Sequence, residues 1–407
     1  MDSLSPSRPL IWLYAFAAGA MIANMYYLQP ILSLVANSFG IPVSTSGLLV
    51  SCTQLGYTVG ILLVVPLGDV LERKSLLSLM FLLNALAMFT AAASQNFVLF
   101  SAAVLISGAT ASAAMLIVPY VASITTEHQR GRVVGLVMTG ALLAIPLSWL
   151  VSGGVGNTTG WRMVYATAGC TALILLMLLR ITLPAEPERR GQPVRYRRLM
   201  HSLWLITQKQ PTLRRRALYG SLGMASFSSL WTGLPILLSQ PPYSFPAARI
   251  GLIGLTGVAG ALIPGLIGRL SDRGYKHALA IGLATLMMLA WGALFFATTG
   301  LWIIIVAAMA LNIAVMGLQV THQSVIYKLD PNANSRITAV FISVNFVGGA
   351  IGSAVASIGL HYFGWEGLCL LGAGLPAALL VIYAINEWPR PSSSGSVDNQ
   401  ISAKEIH

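Results

Sequence analysis

The chain has 407 residues, of which 56% are hydrophobic and only 9% charged. A soluble domain carries roughly 25% charged residues, so this chain has too few polar groups to coat itself, its solvent is mostly lipid, and a water-soluble enzyme is excluded. The net charge of +12, which in a soluble protein would suggest nucleic acid, is read instead as loop bias in a membrane protein with no nucleic-acid partner.

Met1 to Pro9 lack the basic region and small-residue cleavage site of a secretory signal, so the first apolar run is read as a retained span. A spanning helix needs about 20 mostly apolar residues. Twelve runs qualify: 10–37, 44–68, 74–94, 97–123, 131–156, 161–183, 214–240, 246–270, 276–297, 300–328, 333–360 and 364–388. An even number puts both termini on one side. Of the 24 Lys and Arg, all but Arg162 and Arg249 fall on the side that carries the termini. The positive-inside rule makes that side the cytoplasm, so a bacterial inner (plasma) membrane protein with both termini inside is expected.

Cys52, Cys170 and Cys369 all lie in apolar runs, with no metal-ligand spacing and an odd count, which argues against a disulfide framework. No metal or cofactor is expected. Residues 184–213 are rich in Arg and Pro and read as a cytoplasmic linker. It is either passive or carries a short amphipathic helix over Tyr196–Gln208 lying at anionic headgroups. The tail 389–407 is polar and reads as disordered.

Two charged loops echo each other, Pro66-Leu-Gly-Asp-Val-Leu-Glu-Arg-Lys-Ser75 and Gly268-Arg-Leu-Ser-Asp-Arg-Gly-Tyr-Lys276. Gly47-Leu48 recurs as Gly251-Leu252, Gly56 as Gly260 and Gly160-Trp161 as Gly364-Trp365, all at an offset of 204. A near-constant offset means a duplicated six-span unit. The expected fold is therefore all-α, twelve transmembrane helices in two parallel six-helix repeats. The bundles are 1–183 and 214–388.

These loops resemble the signature that follows the second span in the major facilitator superfamily, Gly-x-Leu-x-Asp-Arg-x-Gly-Arg-Arg. The first matches at Leu67, Asp69, Arg73 and Lys74 and departs at Val65, Val70 and Glu72; the second matches at Gly268, Leu270, Asp272, Arg273 and Lys276, with Gly274 one place early. Asn24-Met-Tyr-Tyr-Leu-Gln-Pro-Ile-Leu32 and Thr53-Gln-Leu-Gly-Tyr57 resemble a bacterial exporter subgroup of that superfamily. The drug-exporter signature in span 5 is only partly present: Gly131 and Gly140 keep their spacing, but Ala144 and Ile145 precede Pro146 where Gly is expected.

The resemblance implies a secondary transporter. It places Asp69 at the start of span 11 near Ser335, pairs Arg73 with Glu127, and mirrors this with Asp272 toward span 5 and Asp330 near Arg336, as Glu127 is near Arg132. With Arg273 these form an expected cytoplasmic gate. A carboxylate at a helix N-terminus is worth about 0.3–1 kcal/mol when exposed, up to about 2 when partly buried. The alternative is charge that serves topology alone. Spans 8 and 11 carry small-residue stripes (Gly251, Gly254, Gly257, Gly260; Gly348, Gly349, Gly352), which serve close packing or a rocking seam.

Spans 1, 4, 7 and 10 line the cavity in this family. Their polar residues give the expected substrate contacts: Asn24, Tyr27 and Gln29 on span 1, Trp231 on span 7, and Asn312, Gln319, His322 and Gln323 on span 10. The competing reading makes them interhelical hydrogen-bond glue. None of the twelve acids lies mid-membrane, which disfavours a cation-selective site. His322 is the one ionisable candidate for proton coupling on span 10. The leading reading is a monomeric, proton-linked exporter of small neutral or amphiphilic organic molecules. The alternatives are an uncoupled facilitator or importer and a transport-dead sensor. No His-Glu-x-x-His, Gly-x-Ser-x-Gly or phosphate loop supports an enzyme.

Overall fold

The computed structural model describes residues 7–184, 196–330 and 333–387. The tail expected to be disordered and residues 185–195 of the basic linker lie outside these residues. Among the described residues every regular element is a helix. In chain order these are α1 (Arg8–Ala23), α2 (Leu32–Phe39), α3 (Val43–Asp69), α4 (Arg73–Ala93), α5 (Phe97–Ser123), α6 (Glu127–Thr159) and α7 (Trp161–Thr182). Then follow α8 (Tyr196–Lys209), α9 (Pro211–Ser239), α10 (Ala247–Asp272), α11 (Lys276–Leu294), α12 (Leu301–Ile326) and α13 (Asn334–Glu387). Ten of them, α3 to α7 and α9 to α13, are long and apolar enough to cross a membrane.

Several expected runs do not form one continuous helix each, and two cases bear on the fold. Residues 10–37 break after Ala23. Met25 and Tyr26 donate to Ile22 and Ala23 at 3.0 and 2.9 Å, a tighter i→i−3 pattern, before α2 starts. Pro30 supplies the cause, since it has no N–H to continue a helical ladder. In the other case the expected runs 333–360 and 364–388 join as α13, interrupted only at Gly364 (φ 65, ψ −164). The junction of α6 and α7 is equally short, with Gly160 at φ 90. Both glycines hold backbone geometry that a side chain would oppose.

Within the first half α1 packs on α6, α3 on α5 and α4 on α7; within the second, α9 packs on α13 and α11 on α12. The halves meet along α3 against α13 and α6 against α10. Small residues make these approaches possible. A Cβ at Gly348 would lie 2.4 Å from the Ser221 carbonyl oxygen, and one at Gly153 2.5 Å from that of Ala247.

The linker helix α8 has one apolar side, and that side is turned to protein. Leu203 is buried, and Met200 and Ile206 pack with Leu213, Ile337 and Phe341 from the starts of α9 and α13. The opposite side, with Arg197, Arg198 and Trp204, is exposed.

Candidate functional site: the seam between the halves

One face of α3 runs along the second half at helical spacing. Ser51 Oγ donates to the Ala350 carbonyl (2.8 Å), and Gln54 Nε2 donates to Ser228 Oγ (2.9 Å). The Tyr57 ring meets Phe346 edge-on, with centroids 4.5 Å apart. One turn further, Ile61 and then Val65 leave the seam and line a cavity. The facing side of α13 repeats the order, with Ala350, Phe346 and then Ile342 at the cavity. The seam is thus polar-stitched toward the far end, aromatic in the middle, and open toward the end where α1 starts and α13 finishes.

The second seam closes the far end. Trp149 on α6 and Trp231 on α9 meet edge to face with centroids 3.9 Å apart. A Cβ at Gly251 on α10 would come within 2.4 Å of the Trp149 carbonyl oxygen. Ser44 Oγ and His361 Nδ1, at 3.2 Å, add a far-end contact between α3 and α13.

The open end holds a cavity of about 470 Å³ between the halves, within the range of ligand pockets. Its wall is apolar, with Met115, Pro119, Met138 and Ile342, and its rim is charged, with Asp69, Arg73 and Arg336. Leu199 and Leu203 of α8 sit at the mouth. Tyr196, the first residue of α8, donates from its hydroxyl to the Leu63 carbonyl at 2.9 Å. Leu63 lies in the stretch of α3 that widens to a π turn at Gly60–Val64 before a 3₁₀ turn with Pro66. The helix α8 therefore touches both halves across the cavity mouth.

The expected gate residues separate into groups. Asp69, Arg73, Ser335 and Arg336 share the cavity rim. Arg73 forms an ion pair with Asp69, four residues back, at 3.5 Å. This corrects the expected partner, Glu127, which stands in the first turn of α6. The reason is local, because the 3₁₀ turn brings the Asp69 side chain back along the start of α4. Such an exposed pair contributes about 0–1 kcal/mol. Arg73 also donates through Nε to the Gly68 carbonyl (3.3 Å), Lys74 to that of Leu183 (2.6 Å) and Arg130 to that of Ala122 (3.1 Å). These cations cap helix C-termini, where the last carbonyls need donors. Arg132 lines a separate pocket with Arg8, Trp12 and His128 beside α1. Asp272 ends α10 and Arg273 caps it, after which Gly274 takes φ 98. That positive φ accounts for the displaced glycine of the second loop; the first turns through 3₁₀ geometry and an extended Glu72, and needs none.

The expected cavity residues are more dispersed than the span reading implies. Asn24 Nδ2 donates to Asn84 Oδ1 (2.7 Å), and Asn84 Nδ2 donates to Thr110 Oγ1 (2.9 Å), so Asn24 is clasped inside the first half. Asn312 donates to the Ala308 carbonyl of its own helix (2.8 Å) and packs on Gly260. Gln319 Oε1 accepts from Asn345 Nδ2 at 2.8 Å, tying α12 to α13. Tyr27 and Gln323 are partly exposed, while Gln29 is buried with its Oε1 lacking a partner. Trp231 stands at the seam. His322 is fully buried, neither ring nitrogen has a partner, and its ring stacks at 5.6 Å on Tyr219.

That stack leads to a cluster absent from the sequence reading. Arg216 pairs with Glu387 at 2.8 Å, and Tyr219 stacks on Tyr383, whose hydroxyl meets His277 Nδ1 at 2.8 Å. Arg216 had looked like one more loop cation; its apolar neighbours Leu213 and Ala217 were the available sign of burial. Gln54, Tyr57 and Trp149 were also missed as seam residues. The spacing of Ser51, Gln54, Tyr57 and Ile61 was legible, but not that the face meets another helix. Among the described residues no cluster of three His, Cys, Asp or Glu side chains could hold a metal ion.

Comparison with known proteins agrees with this architecture. The model of the Major Facilitator Superfamily matches residues 14–353. The uncharacterized transporter YgaY of Escherichia coli is 36% identical over 380 residues, 93% of this chain and 95% of its own. A protein of Helicobacter pylori named a probable sugar efflux transporter is 25% identical over 373 residues, 90% of this chain and 92% of its own. Among solved structures, a crystal structure of the nucleoside transporter NupG superposes with a TM-score of 0.76 at 14% identity, covering 93% of this chain and all of that one.

Proposed function

Because the chain belongs to the Major Facilitator Superfamily and is a multi-pass membrane transporter of small organic molecules, we propose that it works by alternating access as a proton-linked exporter of neutral or amphiphilic solutes. The single observation that carries this reading is the state of the seam. A cavity of about 470 Å³ opens between the halves at one end, while the other end is closed by contacts too tight for a Cβ. A pore would be continuous, and an enzyme would not need two closable ends.

In this reading α1 and α2 make one span and the two limbs of α13 make two, giving twelve in two parallel six-helix bundles, 1–183 and 214–388. The termini and the cavity mouth face the cytoplasm of a bacterial inner membrane, in keeping with the side of the basic residues. Asp69, Arg73 and Arg336 act at the inner gate. Relatives named for sugar efflux and nucleoside transport favour small neutral cargo, and the charge-free seam suits it.

The test uses inverted membrane vesicles with an imposed pH gradient and a broad compound panel. A compound that collapses the gradient only when the protein is present supports proton-linked export. A solute that equilibrates without touching the gradient would replace this with the uncoupled facilitator, and binding without movement with the sensor. His322→Gln should slow pH-driven transport; full retention would remove His322 from the proton path.

A further inference from the structure

A belt of aromatic side chains contributed by both halves runs from the middle of the seam to its closed far end. Tyr26, Tyr57 and Trp149 come from the first half, and Phe227, Trp231 and Phe346 from the second; all belong to one packed cluster. Tyr57 and Phe346 lie one turn beyond Ile61 and Ile342, which line the cavity wall. A substrate entering from the mouth meets these rings next.

The belt is rich in unused hydrogen-bonding capacity. The indole nitrogens of Trp149 and Trp231 and the amide oxygen of Gln29 are buried without partners. Among the described residues the hydroxyls of Tyr26 and Tyr57 make no hydrogen bond either, but unlike the first three atoms they keep some accessible surface. A buried polar atom left unpaired costs roughly 1–3 kcal/mol, and native proteins keep few of them. Four of these five atoms sit on aromatic rings. The halves meet through ring edges and faces here, while Gln54 and Ser51, one and two turns away, each donate a hydrogen bond across the seam, with only the Gln54 amide oxygen left over. The charged groups of the rim stop at Asp69, Arg73 and Arg336.

We propose that this belt is the substrate-recognition site, and that it takes a neutral, planar aromatic molecule carrying a hydrogen-bond acceptor and a donor. The ligand's rings replace the Tyr57–Phe346 and Trp149–Trp231 contacts as the halves part. Its acceptor takes an indole or phenol proton, and its donor reaches Gln29 Oε1. A charged ligand meets no counter-ion in the belt and loses its hydration uncompensated. A hexose has more hydroxyls than this belt has partners. The assignment rests on the seam being the part that opens during transport.

The test is an isosteric series on the purified full chain in detergent, read by calorimetry: 2-naphthamide, the cationic 2-naphthamidine, the anionic 2-naphthoate, and glucose. The neutral amide should bind at least tenfold tighter than either charged isostere, with glucose weaker still. Tyr57→Phe removes only a hydroxyl and should weaken the amide several-fold, yet leave 2-methylnaphthalene, which has no polar group, unchanged. Equal or tighter binding of a charged isostere, preference for glucose, no binding of the amide, or a Tyr57→Phe effect shared by the hydrocarbon would each overturn the assignment. Vesicle transport separates the two readings. If the amide binds as expected but is never moved, the transport reading fails and the site stands; if another solute is moved while the amide does not bind, the reverse holds.

Discussion

Gly251→Ala should push the closed far end apart. Gly251 on α10 faces α6 so closely that a Cβ would lie 2.4 Å from the Trp149 carbonyl oxygen and 3.3 Å from the Gly153 Cα. Ordinary carbon contacts begin near about 3.5 Å, so α6 and α10 must separate by about 1 Å or bend. The obstacle is main chain on a rigid helix, with no flexible side chain to swing aside. Overpacking of this kind costs about 1–3 kcal/mol, a factor of roughly 5–150 in an equilibrium. If the far end opens during the cycle, only the closed state bears this cost. Electron–electron distance measurements between spin labels at Thr158 and Arg249, both exposed at that end, read the outcome. The longer-distance population should rise at least fivefold in Gly251→Ala. Gly282→Ala on α11, where a Cβ meets nothing within 4 Å, is the control and should leave the distribution unchanged. A stable Gly251→Ala protein with an unshifted distribution would refute the idea that this seam is the moving one.

Two further outcomes follow from the other contacts. Breaking the Arg216–Glu387 pair from one side, by Arg216→Gln or Glu387→Gln, leaves a buried charge and should cost about 3–5 kcal/mol, whereas Arg216→Met combined with Glu387→Leu should cost much less; thermal unfolding in detergent compares the three, and equal losses would count against burial as the cause. Tyr196→Phe removes one hydrogen bond, worth about 1 kcal/mol, between α8 and Leu63, so a cysteine placed at Ile342 inside the cavity should react several-fold faster with a water-soluble thiol reagent, and an unchanged rate would show that α8 does not restrain the mouth.

The all-α, multi-pass character was legible because the length of apolar runs must match bilayer thickness. The break after Ala23 was harder to see, since Pro30 lies within an unbroken apolar run and composition does not report backbone hydrogen bonds. The site was legible only in part. Asn24 and Gln319 look like cavity residues along one helix, yet each is claimed by an asparagine on a neighbour, Asn84 and Asn345. Partners distant in sequence decide whether a polar side chain is glue or a ligand contact, and periodicity within one helix carries no such information. Tyr57 and Trp149 were passed over for the converse reason, because aromatic residues in apolar runs read as core until two halves are seen to meet there.

The one-residue corners at Gly160 and Gly364 have a mechanical consequence. A long loop between two helices stores slack, so each can tilt by itself. Here α6 passes into α7, and the two limbs of α13 into each other, with a single glycine between them. Trp161 stacks at 5.5 Å on Phe39 beyond the first corner, and Trp365 bonds to the Leu294 carbonyl at 2.8 Å beyond the second. Each hairpin is therefore a stiff lever clamped at its bend. Torque applied at Asn334 or Glu387 is transmitted to the far end without being absorbed in a hinge, and a flexible insertion at either glycine would uncouple the two ends of the molecule while leaving every seam contact in place.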